Sequence, residues 1–170
     1  LNYGAGGNSE FNDVLAAGLF LQNHPNVEVT KIGLWGGSYG GYLTAMGLAR
    51  ASDMFAAGVD IHGVMNWNVI IKNFMPSYEA LEHLDFAKLA YDSSPIAYMD
   101  TWRSPVLLIH GDDDRNVPFS ESVDKIKALR EEKVYYEQLV FPDEVHGFLL
   151  HRSWIDAYKA TVDFFDRMLE

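Results

Sequence analysis

The segment Gly36-Gly37-Ser38-Tyr39-Gly40 joins a short apolar stretch, Lys31 to Trp35, to a run of small and apolar residues from Tyr42 to Ala51. A serine with a glycine two residues to each side, set between a strand and a helix, matches G-x-S-x-G. Such a turn holds the serine in a strained backbone conformation and projects its hydroxyl from the end of the strand. The flanking glycines let strand and helix approach without Cβ clashes, and the helix start offers backbone N–H groups to a developing oxyanion. A glycine-rich turn can also serve packing alone. The strand–turn–helix setting is what points to chemistry.

The rest of the chain repeats that alternation. Asn8 and Ser9 precede Phe11, Val14, Leu15 and Leu19, which predicts a capped amphipathic helix ending near His24-Pro25. Ala56 to Ile61 is a buried strand, and residues 64–100 are less periodic and hold short helices. Pro105-Val106-Leu107-Leu108-Ile109-His110 is an almost unbroken apolar run, as found where helices cover both faces of a sheet. Ser120 to Glu132 reads as a helix with Val123, Ile126, Ala128 and Leu129 inward, Val134 to Phe141 as the last strand, and Trp154 to Leu169 as the last helix. Strand and helix alternate, so the expectation is an α/β chain with a mostly parallel sheet. Its strands end on one rim, where ligands bind.

Polar residues follow three of these strands. Ser38 follows the first. Asp112-Asp113-Asp114 follow the apolar run, and one of these acids could orient an imidazole while the others form a solvated, helix-capping turn. No glutamate at the spacing of an EF-hand loop completes a calcium site there. After the last strand comes Pro142-Asp143-Glu144-Val145-His146. His24 falls on the opposite rim, His83 in the irregular middle, and His151 at the surface near a helix start. His62 is placed to line the site, and His110 to hydrogen-bond within a turn. Only His146 completes the order serine, acid, histidine.

Composition narrows the chemistry. The absence of cysteine excludes a disulfide scaffold, a thiolate metal site and a thiol nucleophile. A net charge of −11 leaves no basic stripe for nucleic acid. No apolar run reaches the ~18 residues of a membrane span. The start, Leu1 to Gly7, has neither the basic region nor the apolar core of a leader peptide, which favours a cytoplasmic location. No metal or cofactor is expected.

Five stretches together resemble the catalytic domain of the prolyl oligopeptidase family of serine peptidases, which includes dipeptidyl peptidases and acylaminoacyl peptidases. They are Gly33 to Tyr42, Ser94-Pro95-Ile96, Ser104 to Gly111, Asp114 to Phe119 and Glu144 to Phe148. The resemblance implies Ser38 as nucleophile, Asp114 as the triad acid and His146 as general base, with the Tyr39 N–H as one oxyanion donor. It also implies a substrate pocket walled by Val64, Trp67 and Ile70. Ile70 and Ile71 stand where dipeptidyl peptidases carry tyrosines, which argues against a strict post-proline preference.

The resemblance implies a truncated α/β-hydrolase fold: about four C-terminal strands of roughly eight, with the N-terminal strands and any β-propeller absent from residues 1–170. The tyrosine that supplies the second oxyanion donor in relatives lies on an earlier loop, and Tyr3 does not match it. An apolar strand at 31–35 without its neighbour exposes a sheet edge. A second copy of the chain, or the missing N-terminal part, is expected to cover it. The implied activity is hydrolysis of short peptides through an acyl-enzyme. A carboxylesterase-type hydrolase, or an inactive half-domain with an interaction role, are the alternatives.

Overall fold

A computed structural model of the chain describes residues 7–170; the rest of the glycine-rich start, Tyr3 included, lies outside them. Four strands, β1 (Gly33–Gly37), β2 (Ala57–Ile61), β3 (Val106–Gly111) and β4 (Tyr136–Phe141), form one sheet in the order β1-β2-β3-β4. Every pairing is parallel, with Gly36 opposite Asp60, Asp60 opposite Leu108 and Leu108 opposite Gln138. Six helices connect or flank them: α1 (Asn8–Gln22), α2 (Tyr39–Arg50), α3 (Trp67–Phe74), α4 (Leu84–Asp92), α5 (Ser120–Glu131) and α6 (His151–Met168).

The unbroken apolar run in β3 is explained by burial on both faces. Val106 and Leu108 join Leu48, Trp102 and Leu129 in one core, while Leu107 and Ile109 join Ala157 and Phe164 in another. Successive side chains point to opposite faces of a strand, so a strand covered on both sides has no polar alternation. Helix α2 packs on the first face, over β1 and β2, and α6 on the second.

Several sequence expectations shift. β1 begins at Gly33 rather than Lys31, and α2 begins at Tyr39 rather than Tyr42, so both elements run up to the serine itself. Of the two flanking glycines only the first is required by close approach. A Cβ on Gly36 would strike the Gly40 backbone, whereas one on Gly40 would meet nothing within 4 Å. On α5 Ile126, Ala128 and Leu129 face the core as foreseen, but Val123 is exposed, and Glu121, Ser122 and Lys125 are buried beside them. Buried partners draw those polar side chains inward: Met65 and Asn66 for Glu121, His110 for Ser122, and Asp60 and Gly63 for Lys125.

Candidate active site

Ser38 occupies the turn between β1 and α2 with φ 55° and ψ −118°. That left-handed value is costly for a residue with a Cβ, roughly 1–3 kcal/mol, and the surroundings hold it. The Ser38 N–H donates to the Ile61 carbonyl at 2.9 Å and lies 3.0 Å from His62 Nδ1. Tyr39 opens α2, where first-turn N–H groups have no acceptor within the helix.

Asp114 and His146 reach this turn from the loops after β3 and β4. His146 Nε2 is 2.8 Å from Ser38 Oγ, and its Nδ1 is 2.7 Å from Asp114 Oδ2. The three predicted side chains therefore form one hydrogen-bonded line, although 108 residues separate its ends. The other two aspartates serve the turn. Asp113 pairs with Arg115 at the surface, and Asp112 Oδ1 accepts the Asp143 N–H at 2.7 Å.

The Asp114 carboxylate is buried, which by itself would raise its pKa. Hydrogen bonds from His110, His146 and the Val117 and Asn116 backbone outweigh that, and hold the carboxyl well below the usual carboxylate range. His62, at φ 43°, lies under the His146 imidazole, with ring centroids 4.3 Å apart. Burial, then repulsion from His146 and His110, lowers its pKa to about 4 and keeps it neutral.

His62, Asp114 and His146 place ligand-type atoms within 4.8 Å of one another. A metal would have to displace the bonds that already engage Asp114 and His146. In addition, His62 Nδ1 faces the Ser38 N–H as an acceptor, which leaves the proton of the neutral ring on Nε2. That buried Nε2 has no partner among the described residues and offers no lone pair. The cluster is built for hydrogen bonding rather than for a cation.

A cleft of about 170 Å³ opens beside Ser38 and His146. Val64, Trp67 and Ile70 wall it as expected, together with Phe74 and Val117. Two acidic side chains brace the wall from outside. Asp60 Oδ1 accepts the Gly63 N–H at 2.7 Å while its other oxygen pairs with buried Lys125. Glu121 Oε2 accepts the N–H groups of Met65 and Asn66, at 2.7 and 2.8 Å. Sequence reading missed these residues. Their signal was the i, i+4, i+8 spacing of Glu121, Lys125 and Leu129, which puts two charges in line with a core leucine.

The profile of the prolyl oligopeptidase family matches residues 2–170. The chain belongs to that family. It is 35% identical over 130 residues to dipeptidyl aminopeptidase BIII of Pseudoxanthomonas mexicana, covering 69% of this chain and 19% of the relative. It is 26% identical over 168 residues to the acylamino-acid-releasing enzyme of Mus musculus, covering 92% of this chain and 23% of that enzyme. Among solved structures, an acylaminoacyl peptidase in complex with Z-Gly-Gly-Phe-chloromethyl ketone superimposes with a TM-score of 0.77 at 27% identity, over 94% of this chain and 27% of that one. The fold is accordingly that of an α/β-hydrolase peptidase, of which this chain carries four parallel strands. The family member described here spans about a fifth of the length of the curated relatives it matches.

Proposed function

We propose that residues 1–170 carry the catalytic centre of a serine peptidase that cleaves short peptides, and form the C-terminal portion of one α/β-hydrolase domain. The observation that carries this reading is the line Ser38 Oγ–His146 Nε2 and His146 Nδ1–Asp114 Oδ2, at 2.8 and 2.7 Å. His146 takes the Ser38 proton as Oγ attacks the peptide carbonyl carbon, and Asp114 stabilises the imidazolium that forms. The oxyanion of the tetrahedral intermediate meets the Tyr39 N–H. The C–N bond then breaks, and the His146 proton leaves with the amine. Water, deprotonated by His146, hydrolyses the Ser38 ester and frees the acid product.

The apolar wall of Val64, Trp67, Ile70, Phe74 and Val117 suits an apolar side chain on the residue before the scissile bond. The related acylaminoacyl peptidase was solved with a peptide ketone whose last residue is phenylalanine, and such a residue suits this cleft in size and polarity. Tyr39 supplies one oxyanion donor, and loss of a single donor typically lowers turnover ~100- to 1,000-fold. The segment alone is therefore expected to be much slower than the whole protein. A fluorophosphonate probe tests the assignment in the full-length protein. Labelling abolished by Ser38→Ala supports it, and labelling that survives that substitution rejects it. Turnover of p-nitrophenyl esters with no detectable turnover of aminoacyl anilides would reassign the protein to the esterases.

A further inference from the structure

Asp114 receives two imidazoles. Besides His146, its Oδ2 faces His110 Nε2 at 3.1 Å, and the two side chains are 0% and 1% exposed. The same Nε2 lies 3.0 Å from the Val117 carbonyl, which can only accept, so the proton is on Nε2. His110 Nδ1 is 2.7 Å from Ser122 Oγ, and the hydroxyl donates to it. Ser122 is buried in the first turn of α5, and the Phe119 ring packs edge-on against the imidazole. The hydrogen-bonded line thus runs from Ser122 through His110, Asp114 and His146 to Ser38. The acyl-transfer steps use only its last three members.

We propose that His110 and Ser122 are positioning residues for that reaction, an inference that rests on the function proposed above. The Asn116 and Val117 N–H groups hold Oδ1, and His110 holds Oδ2, so the carboxylate is fixed at both oxygens while it meets His146. A second N–H on Oδ2 also draws charge from the oxygen that stabilises the His146 imidazolium. Without it Asp114 becomes more basic and holds the imidazolium more tightly, which moves the acid limb of the rate profile to higher pH. Ser122 keeps His110 in the one tautomer that can donate to Asp114. The titratable groups facing His110 are Asp114 on the loop after its strand and His62 after β2, 6.1 Å away. His146 faces it across Asp114. On α5, Glu121 is turned to the backbone of residues 65 and 66, and Lys125 to Asp60.

The test is the pH dependence of kcat/KM for the full-length protein carrying His110→Phe, His110→Gln or Ser122→Ala, with melting temperature followed in parallel. His110→Phe keeps the ring and loses the donor. We expect kcat to fall ~10- to 100-fold at nearly unchanged KM, and the acid limb to move up by about one pH unit. Ser122→Ala should do the same more weakly, and His110→Gln, whose amide can donate, should restore the limb. An unmoved acid limb in both His110→Phe and Ser122→Ala overturns the proposal, as does a loss of kcat that follows melting temperature alone. If His110→Phe does not fold, Ser122→Ala decides alone. A wild-type protein that fluorophosphonate does not label at Ser38 removes the reaction, and this proposal with it.

Discussion

The rim that carries Ser38 and the flank formed by β1 and α6 are opposites. On the rim, with buried His62 Nε2 and Trp67 Nε1 as exceptions among the described residues, most polar groups are answered from within the chain. Glu144, for example, closes the loop of His146 by accepting the Leu149 and Leu150 N–H groups and the Ser153 hydroxyl, at 2.6, 3.1 and 2.6 Å. On the flank β1 is paired on one side only, and Trp35 is 52% exposed beside Tyr158. Exposed Ile155 and Val162 line a hollow of about 470 Å³ there. The difference teaches that the geometry of the site is local, set by loops after neighbouring strands, while the burial of the sheet is not. A chain can hold its reactive groups in register and still present an uncovered apolar surface.

The largest effect expected is on the rim. In Asp114→Asn, the Asn116 and Val117 N–H groups select the amide oxygen at the Oδ1 position. The NH₂ then confronts two ring N–H groups, and His146 must shift its proton to Nε2. In that tautomer it cannot accept the Ser38 proton, and kcat should fall by ~10⁴ with the fold intact by circular dichroism. A loss below tenfold would show that the line of bonds is not the working arrangement.

Next comes the brace behind the cleft. Lys125→Met strands the Asp60 carboxylate, which is 1% exposed, without its counter-charge. Urea denaturation should register a loss of about 3–5 kcal/mol. Adding Asp60→Asn should recover most of it. A loss below about 1 kcal/mol would mean that the pair does not hold the wall, and that the rim owes its order to something else.

These two regions were unequally legible in the sequence. Ser38 and His146 stood out because parallel strands deliver their C-terminal loops to one place, so chain order restricted the partners; it left three aspartates open, and only the family resemblance singled out Asp114. The apolar run in β3 identified the central strand for the same reason that it is buried twice. What stayed hidden was the polar part of the inward face of α5. Val123 looks like part of its core side but is exposed, while Glu121 and Lys125 are drawn in by partners among residues 60–66, far away in sequence. Polar burial depends on where a partner lies in space, and the spacing of charges along a helix does not name that partner. The same holds for His110, whose place at a strand end suggested only a turn.

A smaller effect sharpens the contrast through pH. His62 is neutral on the rim with its pKa lowered to about 4 from 6.5, whereas the flank residues Trp35, Ile155 and Val162 do not titrate. In the unfolded chain His62 takes a proton near pH 6.5, and in the folded one only near pH 4. Stability contributed by keeping it neutral is full above about pH 6.5 and declines as pH falls towards 4, by about 2–3 kcal/mol. His62→Gln should flatten the stability curve across that window by this amount. An identical curve for variant and wild type would place the His62 ring outside the buried cluster.

The smallest effect on stability is expected on the flank, and it decides the other half of the comparison. The far edge of the sheet shows what a finished edge looks like: on β4, Glu137 pairs with Arg167 at 2.6 Å, and charge discourages strand addition. β1 carries Gly-Leu-Trp-Gly-Gly and no charge. We propose that a second copy of the chain, or the remainder of a longer protein, covers this side. Trp35 and Val162 belong to none of the packed cores, and Trp35→Lys and Val162→Lys should change stability by no more than about 0.5 kcal/mol. Light scattering on the 170-residue chain should nonetheless show self-association that either substitution reduces. A well-behaved monomer before any substitution would remove the copy-to-copy contact. A chain that then also fails to bind a separately supplied N-terminal segment would leave β1 an edge that needs no cover.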